Sequence, residues 1–128
     1  MGQPAAKQGD RVTATDQHLI QPPTTSGPSP VPHLFNGILS SELSPDVRIE
    51  RRPAATIGSV ALNTPPHIPI GGTFVIPPTN RGTITAGSAT VRINGKPAAR
   101  NGDSALTCAD PPNPGGTVVA AGTVRIGG

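Results

Sequence analysis

The chain has 128 residues, one domain's worth, with 10 basic and 7 acidic side chains and a formal net charge of +3. Its 17 Pro and 16 Gly break nearly every window long enough for a helix. Two Phe with no Trp or Tyr exclude a large aromatic core and the stacking platform of a single-strand nucleic-acid binder, and one Cys excludes an internal disulfide.

A chain so rich in Gly and Pro reads as disordered unless it is periodic, and this one is. The first copy of its repeat is Pro4-Ala5-Ala6-Lys7-Gln8-Gly9-Asp10. Met1 to Gln8 has no basic segment followed by an apolar run, so no signal peptide is expected, and no run of 18 apolar residues is present to span a membrane. Gly9 to Thr15 reads as a short strand and leads to His18. A loop is then expected from His18 to Gly37, with a polyproline-like surface stretch at 21–30.

The second unit opens with Val47-Arg48-Ile49, read as a strand, and Glu50-Arg51, read as a turn. Its core is Pro53-Ala54-Ala55-Thr56-Ile57-Gly58-Ser59, followed by a strand from Gly58 to Leu62, by His67, and by a loop to Gly82. Arg81 to Lys96 is the longest Pro-free window, where Ile84, Ala86, Val91 and Ile93 suit strands rather than a helical stripe. The third unit repeats the order with Val91-Arg92-Ile93, Asn94-Gly95 and Pro97-Ala98-Ala99-Arg100-Asn101-Gly102-Asp103, then Cys108 and a loop to Gly116. Asn-Gly suits a two-residue hairpin turn with φ > 0 at both central positions, whereas Glu50-Arg51 predicts a turn of another type. A last Val124-Arg125-Ile126 has no core after it, and the first core has no such strand before it. Folded together, the two ends complete a third unit, with Val124 and Ile126 expected to be as buried as Val47, Ile49, Val91 and Ile93.

The expected fold is therefore all-β, one domain over 1–128, pseudo-threefold and closed by its N- and C-terminal segments. A core this small calls for a staple or a metal. His18 and His67 each lie 14 residues after their repeat Pro, and Cys108 lies 11 after Pro97. A threefold arrangement brings these three to one point on the axis, and His33, in the longest loop, can reach it as a fourth ligand. Four imidazole or thiolate donors suit a closed structural zinc site. With only His18, His67 and Cys108 bound, a position stays open and a zinc hydrolase becomes the alternative, although no His-Glu-x-x-His motif is present. Asp16 reads as an outer-sphere or turn residue. Asp10, Ser59 and Asp103, each after the repeat Gly, read as turn formers rather than catalytic groups.

Gly95-Lys96-Pro97-Ala98-Ala99-Arg100 with Gly102-Asp103 resembles the signature of the PAAR-repeat family, and the likeness extends over essentially the whole chain. The copies at Pro4 and Pro53 depart at the Arg position, where Lys7 keeps the charge and Thr56 does not. The resemblance implies a small conical β-structure with a metal near its point, held by three His and one Cys. It also implies a cap, not an enzyme, on the trimeric β-helical spike, of valine-glycine repeat or phage-hub type, of a contractile injection machine such as a type VI secretion system or a phage-tail-like particle. One cap per trimer, membrane puncture, effector recruitment through the loops and no effector extension are expected. So are cytoplasmic assembly and export on the spike tip, without nucleic-acid binding.

Overall fold

The Val-Arg-Ile segments and the Pro-Ala-Ala cores fold as three small hairpins, and one of them is split between the two ends of the chain. The structure is a computed structural model describing residues 2–127, and it contains strands and no helix among the described residues. The first unit supplies β1 (Gln3–Pro4), β2 (Arg11–Gln21) and β3 (Ser29–Ser41). The second supplies β4 (Arg48–Ile49), β5 (Arg52–Pro53), β6 (Val60–Asn63), β7 (Thr73–Phe74) and β8 (Arg81–Ile84). The third supplies β9 (Arg92–Ile93), β10 (Lys96–Pro97), β11 (Ser104–Thr107) and β12 (Asn113–Val119), and β13 (Arg125–Ile126) returns to β1.

Register is the same in all three hairpins. Arg48 faces Pro53, Arg92 faces Pro97 and Arg125 faces Pro4. Each of these arginines donates from Nη1 to a nearby carbonyl, of Arg51, Gly95 and Gly2 respectively, so the repeated Arg staples its own hairpin. The turn at Glu50-Arg51 is not of a different type: both residues have positive φ, at 51° and 71°, as do Asn94 and Gly95 at 52° and 79°. The pairing imposes the turn, and Arg51 bears a left-handed conformation that costs an L-residue about 1–2 kcal/mol. Ile49, Ile93 and Ile126 are buried as expected, but Val91 and Val124 are exposed and Val47 is only half-buried. Val and Ile stand two apart and share a parity, so the difference arises at the strand ends: each Val precedes the two-residue strand that holds its Ile.

Next to the hairpins the three Pro-Ala-Ala segments close a ring. Ala6 N–H donates to Ala99 O, Ala99 N–H to Ala55 O and Ala55 N–H to Ala6 O, each at 3.0 Å. All three alanines are fully buried, because a longer side chain has no room where three main chains converge. A second equivalent set runs from Gln8, Ile57 and Asn101 to the carbonyls of Pro53, Pro97 and Pro4. Proline suits its place since it needs only to accept there. Asp10, Ser59 and Asp103 do one repeated job, accepting the backbone N–H of Lys7, Thr56 and Arg100 three residues back.

The split unit needs extra ties. Ser44 Oγ accepts the N–H groups of Asp46 and Val47, and Ser88 Oγ those of Thr90 and Val91. The corresponding N–H groups of Thr123 and Val124 go instead to Glu50 Oε1, reaching from the second unit. Those two bonds hold the Glu50 carboxyl below its ordinary pKa. Lys7 Nζ donates to Ala121 O at 2.6 Å and Arg100 Nη1 to Gly127 O at 3.3 Å. The basic residue of the repeat core thus ties down the C-terminal segment, a job that Thr56 does not share.

Beyond the ring, β2, β3, β6, β8, β11 and β12 pair in that order, and β12 pairs back onto β2. The result is a closed, antiparallel six-stranded barrel that leaves no edge along the shared part of its strands. Each unit contributes two neighbours. What reads from sequence as a loop between His18 and Gly37 is mostly strand, since β2 and β3 pair continuously from Arg11↔Ile38 to Ile20↔Ser29. Pro30 and Pro32 are tolerated because β6 pairs only with Gly37 to Ser41, leaving the outer stretch of β3 with β2 as its one named partner. The Pro-free window at 81–96 holds strands as expected, β8 and β9, with irregular chain between. Inside the barrel Phe35 is 1 % exposed. A Cβ on Gly37 would come within 2.7 Å of its ring and one on Gly82 within 3.1 Å, so these glycines make its room.

Candidate metal centre

β2 and β3 alternate strictly, and the face that buries Val12 and Leu39 near the ring carries Asp16, His18 and His33 farther out. Period-two geometry, not the loop, delivers the histidines. His67 comes from the β6–β7 connection, where its N–H donates to Asn80 Oδ1 at 2.8 Å. Cys108 follows β11 directly.

The three imidazoles meet edge to face, with ring centroids 4.8 Å apart for His18–His67, 5.4 Å for His18–His33 and 5.6 Å for His33–His67. Cys108 Sγ lies 3.9 Å from His18 Nε2. Phe35 lies beneath His67 with centroids 6.1 Å apart, and Phe74 stands 5.5 Å from both His18 and His33. Phe74 reaches them because Gly72 lets β7 pass close to β2: a Cβ there would fall 2.1 Å from Gln21 O.

His33 Nδ1 donates to Val31 O at 2.8 Å, which leaves Nε2 as the lone-pair nitrogen. His18 Nδ1 lies 3.3 Å from Asp110 Oδ2, which also accepts the N–H of Leu19. Such a carboxylate fixes the tautomer and turns Nε2 toward the centre. The buried Nε2 atoms of His33 and His67 have no hydrogen-bond partner among the described residues, an arrangement that costs each nitrogen about 1–3 kcal/mol unless something else satisfies it. Burial, then the neighbouring His18, lowers the pKa of His67 and favours the neutral, ligating imidazole. Burial also pushes the Cys108 thiol up to about 11, so it ionises at neutral pH only beside a cation.

Potential ligand atoms of Asp16, His18, His67 and Cys108 all lie within 4.8 Å of one another, a set that could hold a metal ion. His18, His67 and Cys108 were expected together from their places in the repeat. Asp16 stands inside this tight group, and His33 faces it from the next strand. Asp110 and Phe74 carry no such repeat signal, and their roles depend on cross-chain contacts that spacing does not reveal.

Fold and site define an all-β protein of three repeated units, which meet main chain to main chain at one end and side chain to side chain at the other. Residues 76–128 match the family model described as PAAR motif, which bears out the resemblance to PAAR-repeat proteins. The match supports a spike-tip role in contractile injection systems, and the structural character of that family fits a chain that is not an enzyme. A search of curated proteins gave no match.

Proposed function

We propose that the chain caps the trimeric β-helical spike of a contractile injection machine, one chain per spike, and sharpens it for membrane puncture. The observation that carries this reading is the ring of equivalent alanine hydrogen bonds with its three hairpins in identical register. A monomer with three near-equivalent faces can seat on a true threefold partner without wasting two of them. Val91, Val124 and the half-buried Val47 occupy equivalent places on those faces and offer apolar contact to the spike. The opposite end then points forward.

In this reading the metal is zinc, held by His18, His33, His67 and Cys108 as a closed site that stiffens the tip. Two imidazole nitrogens without partners and a thiol that needs a cation to ionise fit such an ion. Zinc there cross-links β2, β3, the His67 connection and the end of β11. The chain assembles in the cytoplasm and leaves on the spike, with the unequal loops free to carry effectors. Native mass spectrometry of the chain mixed with its cognate trimeric spike should give one cap per trimer. Three caps per trimer, or no complex, would overturn the proposal.

A further inference from the structure

Asp16 is fully buried among the site residues, and a buried carboxylate is costly unless its charge is met. Oδ1 is met: it accepts the Thr107 hydroxyl and, at 3.4 Å, Asn113 Nδ2. Among the described residues Oδ2 accepts only the Cys108 thiol, a weak donor. Its neighbours are Cys108 Sγ at 3.7 Å and His67 Nε2 at 3.5 Å, the latter too long for a hydrogen bond.

Metal binding removes the one proton that faces this oxygen, because cysteine ligates as thiolate. Oδ2 would then look onto a sulfur anion, in a site lined by Phe74 and Phe35. A dication placed among the donors neutralises thiolate and carboxylate together. Asp16 already belongs to the set whose ligand atoms fall within 4.8 Å of one another.

We propose that Asp16 ligates the metal directly through a carboxylate oxygen, as a fifth donor beside His18, His33, His67 and Cys108. The inference rests on the metal reading above and replaces its closed four-donor shell of nitrogen and sulfur with five donors, one of them oxygen. Thr107 and Asn113 hold the far oxygen, so the near one is presented at a fixed angle.

X-ray absorption at the zinc edge, on the reconstituted full chain, should count five donors, one sulfur and four light atoms. Asp16→Asn should remove one light donor and weaken zinc binding by more than the ~10–100-fold typical of losing an outer-sphere partner. A wild-type count of one sulfur and three nitrogens overturns the inference while leaving the zinc site standing. A chain that takes up no zinc overturns both. Should Asp16→Asn fail to fold, the wild-type count still decides.

Discussion

The ring end and the metal end are built from the same three repeats, yet one keeps the threefold symmetry and the other discards it. At the ring the bonding groups are backbone N–H and C=O, which every unit possesses, so Ala6, Ala55 and Ala99 can do one job three times. At the metal end the bonding groups are side chains, and a metal site needs a particular set rather than three copies. To the candidate site unit one brings Asp16 and His18, with His33 beside them, unit two brings His67, and unit three brings Cys108. The barrel between shows the same division. Gly37 and Gly82 sit at corresponding places in different units, but one Phe35 fills the space both leave. Symmetry persists where the main chain carries the structure and lapses where chemistry does.

The largest effect should come from breaking the metal end. Cys108→Ser in the zinc-loaded chain should lower the melting temperature sharply and release zinc, since structural zinc contributes on the order of 10 kcal/mol of apparent folding free energy in small domains. Undiminished melting in that variant would move the weight of stability to the ring. At the ring, Ala55→Leu forces three extra carbons into a place with no space and should cost about 1–3 kcal/mol in urea unfolding. Ala6→Leu and Ala99→Leu should cost about as much as each other and as Ala55→Leu. Unequal losses would show that the units are less alike than their hydrogen bonds.

The smallest effect isolates the split unit. Glu50, unlike Ser44 and Ser88, titrates, and its folded pKa is depressed by the two N–H groups it accepts. Its contribution is therefore complete above the unfolded carboxyl pKa and disappears as pH falls through the lower folded value. Amide exchange at Thr123 and Val124 should accelerate over that acid window relative to Val47 and Val91, whose partners are serine hydroxyls. Glu50→Gln should abolish the difference in pH dependence. If it persists, another group closes the terminal unit.

The repeat was legible because its job is local: Pro accepts, Ala leaves room, and Asp or Ser caps a backbone N–H three residues back. For the same reason three of the site residues could be read from their distance to a repeat proline. His33 was legible as a candidate but not as a strand residue, because prolines at 30 and 32 read as loop until one knows that this stretch of β3 lacks a second partner. Asp16, Asp110 and Glu50 act on groups far away in sequence, and nothing in their neighbours signals it. Val124 misled in the opposite way: its chemistry asks for burial, but it stands just before the two-residue strand β13 and is exposed.

The alanine ring also governs how the chain can reach its native state. Its three bonds join segments near residues 6, 55 and 99, and the first hairpin of the ring is finished only by residues 125 and 126. The ring must wait for residue 99 and its split hairpin for residues 125 and 126, so this end of the molecule should assemble late, with a rate set by the search for distant partners rather than by any local element.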